Sequence, residues 1–172
     1  MAAVDLAKAM GARVIACAST KEKLDLCKQY GADELINYSE VDLKNEIKTR
    51  TDGKGADVIY DPVGGAYSEQ ALRACAWKGR YLVIGFAAGE IPKIPLNLAL
   101  LKGCSIVGVF WGRFTKENPQ GNLANSLQIM QWHNQGKIKP HIYKKYALAD
   151  APKALEEMMD RKVIGKVIIE IN

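Results

Sequence analysis

Short β-branched runs alternate along the chain with stretches whose apolar residues recur at helical spacing, at the intervals of βαβ units. Residues 1–10 (MAAVDLAKAM) are rich in helix formers, with Val4, Leu6 and Ala7 set inward, Asp5 and Lys8 outward, and Gly11 as the stop. The stretch carries no N-cap of its own, so the pattern opens inside a helix and implies a truncated start. Residues 13–18 (RVIACA) read as a strand, and Ser19 or Thr20 caps the helix that ends at Gly31. A strand at 34–38 and an amphipathic helix at 41–50 follow.

The next unit has a strand at 56–61 (ADVIYD), the turn PVGG, a helix over 67–77 and a strand over 79–85. A loop with two prolines leads to the helix NLALLKG and a strand over 104–112 (CSIVGVFWG). After a polar break at 116–121, a helix over 122–135 stops at Gly136. Residues 137–172 then change pattern: strand IYKKYAL, helix DAPKALEEMMDRK capped by Asp150 with Pro152 in its first turn, and strand KVIIEI. The alternation predicts an α/β fold with a parallel sheet and helices on both faces. It divides the chain into a domain over 1–136 and a segment over 137–172 that returns to another domain.

Composition narrows the class. Of the 172 residues, 48% are apolar and 25% charged, which is the balance of a folded globular protein rather than a disordered one. No apolar run reaches the roughly 18 residues that span a bilayer, and no basic-then-apolar leader opens the chain. The expectation is a soluble, unsecreted protein, cytoplasmic or mitochondrial, with no membrane partner. The four cysteines, Cys17, Cys27, Cys75 and Cys104, form no C-x-x-C pair and have only His133 and His141 to join them, so no metal site is expected. The net charge of +5 comes from 24 basic residues interleaved with 19 acidic ones, a pattern of solvated faces with room for one phosphate-bearing ligand or an RNA.

A dinucleotide site in such a fold needs a glycine loop under the pyrophosphate, a residue that reads the ribose, and a slot for the nicotinamide. The G-x-G-x-x-G loop is absent. Its place is ahead of the opening helix, together with the strand that is central in a doubly wound sheet. The ribose reader belongs at the end of the next strand, where an acidic residue favours NAD; here the chain reads Cys17-Ala18-Ser19-Thr20, with no carboxylate. Lys23 lies one helical turn beyond Ser19, so a hydroxyl and an ammonium face a 2′-phosphate at a helix N-terminus, which argues for NADPH. The same two residues also read as a plain N-cap and a solvated charge.

Tyr38, at a strand end, is placed to pack on an adenosine, though aromatic strand ends are common. Gly64, Gly65 and the glycines of 85–89 fall at C-terminal strand ends, where ligands approach backbone closely, and tight turns demand glycine there equally. Val109, Phe110 and Trp111 offer backbone groups and apolar walls to a nicotinamide, or else form an edge strand that pairs with a second subunit. No Ser/His/Asp arrangement is present, and no catalytic residue is assigned. Asp57 and Asp61 have no argued substrate.

Together the segments LAKAMGARVIACAST, EKLDLCKQYGADELINY, GADVIYDPVGG, GRYLVIGFAAGEIPKIPLNLALLKGCSIVGVFWG and GKVIIEI resemble the zinc-free quinone oxidoreductase branch of the medium-chain dehydrogenase/reductase superfamily. The resemblance covers essentially the whole chain. It implies a Rossmann-type doubly wound coenzyme domain lacking its first strand and glycine loop, and a C-terminal segment belonging to a GroES-like catalytic domain. It implies contacts from Ser19, Lys23 and Tyr38 on the adenosine-phosphate side, from Gly65 beside the cofactor, and from Ile84, Gly85, Phe86, Ala87, Val109, Phe110 and Trp111 on the nicotinamide side. It also implies a homodimer joined through the strand at 104–111.

These features together point to the coenzyme half of an NADPH-dependent reductase of quinones or enones, inactive as this chain alone. The competing readings are a non-catalytic truncated isoform that dimerises through its edge strand, and an RNA-binding module, which lacks any aromatic-plus-glycine RNA motif.

Overall fold

The structure, a computed structural model, describes residues 1–160 and 162–171. Arg161, expected in the last helix, and Asn172, the expected end of the C-terminal segment, lie outside the described residues. The chain divides into two compact units, Met1–Leu35 with Asn125–Asn172, and Ile36–Ala124.

The first unit opens with α1 (Ala2–Ala9), β1 (Ile15–Ala18), α2 (Lys21–Gln29) and the start of β2 (Glu34–Asn37). Of the two candidate caps of α2, the extended residue Thr20 takes the role: its side chain accepts from the Lys23 amide at 3.4 Å. Ala16, Cys27 and Ala32 form a small core against which Met1, Val4, Val14 and Leu35 pack. Asp5 and Lys8, expected to face solvent, are tied in. The Asp5 carboxylate accepts from the Lys139 amide at 2.7 Å, and Lys8 pairs with Asp33 at 2.8 Å. The Asp33 carboxylate also accepts from the Val14 amide, so one acidic side chain joins the end of α1 to the entry of β1.

The same unit closes with β6 (Ile142–Ala147), a 3₁₀ turn at Leu148–Asp150, α8 (Ala151–Met159) and β7 (Lys166–Glu170), with β6 and β7 parallel. Asp150 sits at the expected cap position, yet its side chain makes no cap hydrogen bond, and the 3₁₀ turn leads into the helix instead.

In the second unit α3 (Leu43–Arg50) is capped by Asp42, whose carboxylate accepts from the Asn45 amide at 2.7 Å. Then come β3 (Ala56–Asp61), α4 (Tyr67–Arg73), β4 (Cys75–Val83), α5 (Asn97–Lys102), β5 (Ser105–Gly108) and α6 (Trp111–Glu117), while α7 (Pro119–Asn134) crosses the division. The sheet order is β3-β4-β5, parallel throughout. Among the described residues β1 pairs only with β2, and β3 only with β4.

Two expectations need correction. The helix over 67–77 ends at Arg73, because Cys75 already pairs with Ala56. The register then slips, from Ala56↔Cys75 to Val58↔Arg80, and the excess of β4 is looped out around Lys78 at φ 60°. The Lys78 amide donates to the Gly103 carbonyl at 2.9 Å, and the Trp77 ring lies where a side chain at Gly103 would have to go. The strand over 104–111 is likewise shorter. It stops at Gly108, and the Phe110 carbonyl already accepts from the Arg113 and Phe114 amides as the first turn of α6. Phe110 and Trp111 therefore belong to a helix start, and the helix expected from 122 is preceded by this separate one.

All four cysteines are free thiols. Burial, and then the neighbouring Cys104, push the Cys75 thiol up to about 11, so it stays protonated.

Candidate coenzyme site

Because β3, β4 and β5 are parallel and in register through Asp61↔Val83↔Gly108, their C-terminal ends share one rim. Two loops leave it. The first, residues 62–65, follows β3; the second, residues 84–90, follows β4. Three backbone bonds zip them together, Ala87 N to Pro62 O at 3.1 Å, Ala88 N to Val63 O at 2.8 Å and Gly65 N to Glu90 O at 3.2 Å, while the Ile84 and Gly85 amides donate to the Asp61 carbonyl at the end of β3 at 3.0 and 3.4 Å. The Val109 amide donates to the Val83 carbonyl at 3.0 Å, placing Val109 beside the start of the second loop. Gly65, Ile84, Gly85, Phe86, Ala87 and Val109, named from sequence, thus meet at one edge of the sheet. Phe110 and Trp111 follow, 75% and 68% exposed.

The paired glycines have a definite cause. Gly64 and Gly65 take φ 71° and 64°, and a Cβ on them would stand 2.9 Å from Phe86 Cδ1 and 3.0 Å from Ala88 Cβ. Tight turning and close packing of one loop on the other, one of the two readings open in the sequence, each call for glycine at these positions. Tyr38 follows β2 and its ring lies 4.3 Å from that of Tyr67, at the start of α4. Nothing in the sequence singles out Tyr67.

The organising side chain at the rim is Asp61. Its Oδ1 accepts from the Val63 and Gly64 amides at 2.8 and 3.0 Å, and its Oδ2 from the Ser68 hydroxyl at 2.9 Å and from the Tyr81 hydroxyl. Burial by itself would raise the Asp61 carboxyl, but hydrogen bonds from Tyr81, the Gly64 and Val63 amides and Ser68 outweigh it and hold the group below the usual carboxylate range. Burial, and then the bond to Asp61, push the Tyr81 hydroxyl above its ordinary value. Asp61, Ser68 and Tyr81 border an otherwise largely apolar cavity of about 170 Å³. The signal in the sequence was Asp-Pro-Val-Gly-Gly, since an aspartate bonding the amides two and three residues on is a turn device. Tyr81, 20 residues away, had no such signal.

These shifts set signs for pH. A raised tyrosine stabilises the fold below the unfolded value of about 10 and loses that contribution as pH rises through the folded value. A depressed carboxylate contributes above about 3.9 and loses it as pH falls through the folded value. Tyr81→Phe is therefore expected to flatten the alkaline limb of the urea-midpoint profile above about pH 10 and, because the Tyr81 hydroxyl is foremost among the donors that hold Asp61 down, to make the acid limb shallower as well. An unchanged alkaline limb would show that Tyr81 is not the group responsible.

In the first unit, Ser19 follows β1 half-buried and Lys23 stands in the first turn of α2. Lys21 is paired with Asp25 at 2.6 Å, whereas among the described residues the Lys23 ammonium is in no ion pair. A free cation in the first turn of a nine-residue helix, with backbone N–H groups beside it, fits an anionic ligand such as a phosphate. A separate groove of about 470 Å³ runs past Lys21, Asp25, His141 and Tyr143, with the Lys21–Asp25 charges already satisfied by each other.

The zinc-binding dehydrogenase family model matches residues 1–128. The chain belongs to the zinc-binding dehydrogenase family. It is 41% identical to a quinone oxidoreductase-like protein 2 homolog of Nematostella vectensis, over 98% of this chain and 47% of that protein. It is 30% identical to an NAD-dependent alcohol dehydrogenase of Sulfurisphaera tokodaii, over 97% of this chain and 46% of that one. Among solved structures, the Escherichia coli quinone oxidoreductase complexed with NADPH superimposes with a TM-score of 0.88 at 27% identity, covering 99% of this chain and 53% of that protein. The chain spans about half the length of the curated relatives it matches, and corresponds to the C-terminal coenzyme-binding half of a quinone-oxidoreductase-like medium-chain dehydrogenase/reductase. The family's description names zinc. Among the described residues no three His, Cys, Asp or Glu side chains gather to hold a metal ion, and none of the helices is long and apolar enough to cross a membrane.

Proposed function

We propose that this chain forms the coenzyme-binding half of an NADPH-dependent, zinc-independent reductase of quinones or activated alkenes. The observation that carries the cofactor preference is the Ser19-Thr20 pair just after β1, followed by Lys23, which among the described residues is in no ion pair, with no carboxylate at 17–20 to meet a ribose hydroxyl. Ser19, Lys23 and Tyr38 hold the adenosine-phosphate end. Gly65, Ile84, Gly85, Phe86, Ala87, Val109, Phe110 and Trp111 line the nicotinamide end. NADPH supplies the hydride, and the chain's part is to bind, orient and keep water away, which needs no covalent residue. Residues 1–136 serve as the coenzyme domain and 137–172 as a segment of the catalytic domain. The 172-residue polypeptide alone binds NADPH weakly and does not turn over.

Exposed along all four residues of β5, the outer edge of the three-stranded sheet offers backbone groups to a second copy of the chain, and a homodimer through that edge is part of this reading. The test is a titration of the 172-residue chain with NADPH and NADH, followed by nicotinamide fluorescence. The expected result is saturable NADPH binding with a Kd on the order of 0.1 mM, at least about tenfold tighter than NADH. Equal affinity for the two, or no saturation by NADPH, would overturn it, and the latter would favour a non-catalytic dimerisation module.

A further inference from the structure

Among the described residues the Asp61 carboxylate has no hydrogen bond to the second rim loop, yet it shapes the turn on which the later part of that loop rests, while the Ile84 and Gly85 amides donate to Asp61's own backbone carbonyl. Oδ1 closes the 62–65 turn through the Val63 and Gly64 amides. The carbonyls of Pro62 and Val63, presented by that turn, then receive the Ala87 and Ala88 amides, and Gly65 returns its own amide to Glu90. Oδ2 anchors the carboxylate from below, to Ser68 on α4 and Tyr81 on β4. Four donors converge on one side chain at the end of β3, from a turn, a helix and a neighbouring strand. Beside them lies a cavity with mostly apolar walls such as Leu72, Val83 and Ile106, so a donor released there finds few new partners.

We propose that Asp61 is a positioning residue that locks the 62–65 turn and the 84–90 loop into a single rigid rim, and so sets the backbone that meets the nicotinamide half of the cofactor. This rests on the reading that the rim binds NADPH. The rim is set by the hydrogen-bond pattern and not by the negative charge alone. In Asp61→Asn the side-chain oxygen still accepts from both turn amides, while its NH₂ donates to the Ser68 and Tyr81 oxygens, whose own protons lose their acceptor without freeing the turn. Alanine keeps none of the four bonds.

The experiment measures amide hydrogen exchange and NADPH affinity on the 172-residue chain and on Asp61→Ala, Asp61→Asn and Tyr81→Phe. The Ala87 and Ala88 amides are the probes, because the carbonyls they bond, Pro62 and Val63, belong to the turn that the Asp61 carboxylate closes, and the Met10 amide, bonded to Leu6 in the other unit, is the control. Asp61→Ala is expected to speed exchange at Ala87 and Ala88 by roughly 30-fold or more with Met10 unchanged, and to weaken NADPH by about tenfold or more. Asp61→Asn is expected to stay within about threefold of the unaltered chain in both readouts, and Tyr81→Phe to fall between the two.

Unchanged exchange at Ala87 and Ala88 overturns the proposal. If the alanine variant does not fold, unchanged exchange at the same two amides in Tyr81→Phe overturns it equally. Faster exchange with unaltered NADPH affinity also overturns it, since the rim would then be coupled without positioning the cofactor. Failure of the unaltered chain to bind NADPH, with Ala87 and Ala88 still protected, sinks the cofactor reading instead and leaves the coupling of the loops established.

Discussion

Ser19→Asp combined with Lys23→Glu is expected to weaken NADPH binding by about 100-fold or more while leaving NADH unchanged or tighter, so that the preference inverts. The cause is electrostatic. A unit charge brought to about 4 Å from another is worth about 4 kcal/mol at an effective dielectric of 20, and the pair of substitutions changes the local charge by three units, so a hundredfold loss of about 2.7 kcal/mol leaves room for solvent screening. Fraying cannot stand in for that loss, because an acidic residue in the first turn of α2 suits the helix dipole better than the lysine it replaces, and the cap, Thr20, is untouched. Aspartate at the strand end is also the residue that meets a ribose hydroxyl in NAD-preferring sites. The check is a pair of fluorescence titrations beside a far-ultraviolet circular dichroism spectrum. An intact spectrum with NADPH still favoured would remove Ser19 and Lys23 from the site.

Gly55→Ala is expected to destabilise residues 36–124 by about 3 kcal/mol or more, seen as a large drop in urea midpoint. Gly55 enters β3 at φ 91°, and a Cβ there would stand 2.3 Å from the Ala74 carbonyl oxygen, with Cys75 C and Ala76 N at 2.9 and 3.0 Å. These are backbone atoms in the tight join of α4 to β4, and the Ala56 amide is bonded to that same carbonyl at 2.9 Å, so nothing nearby can yield cheaply. Gly53, two residues earlier at φ 80°, has nothing within 4 Å of its would-be Cβ. Gly53→Ala therefore costs only its backbone conformation, about 1 kcal/mol. Equal costs at the two positions would show that conformation, and not the collision, governs Gly55.

The same pair of glycines shows where sequence reasoning stops. Both stand in one short polar turn, and only the fold tells them apart, because the obstacle at Gly55 comes from residues about twenty positions away. Local chemistry was legible wherever the interacting groups are neighbours in the chain: Thr20 as a candidate cap, Gly31 and Gly103 at helix ends, and Pro-Val-Gly-Gly as a turn. The βα alternation was legible too, since an amphipathic helix and a buried strand differ in period. From that alternation followed the parallel sheet and the gathering of Gly65, Ile84 to Ala87 and Val109 at its C-terminal rim.

What the pattern misplaced has one cause. Apolar, β-branched runs continue past the point where pairing ends, so the stretch from Cys104 to Trp111 reads as one strand although only Ser105–Gly108 lies in β5 and α6 begins at Trp111. The looped-out residues of β4 are similar: Trp77 and Lys78 belong by composition to a helix or a strand, and it is the Gly103 carbonyl and the space over Gly103 that hold them where they are.

By itself, then, the sequence determined the class of fold, the order of its elements apart from α6 and the cationic, carboxylate-free stretch after β1, because each depends on residues within a turn or two of one another. Tertiary structure alone decided that Asp61, whose bonds to the two turn amides are local, would also gather Ser68 and Tyr81 and join the two rim loops. The value of a carboxylate depends on which donors reach it and how far they are removed from water, and those donors come from a turn, a helix and a strand that only folding brings together.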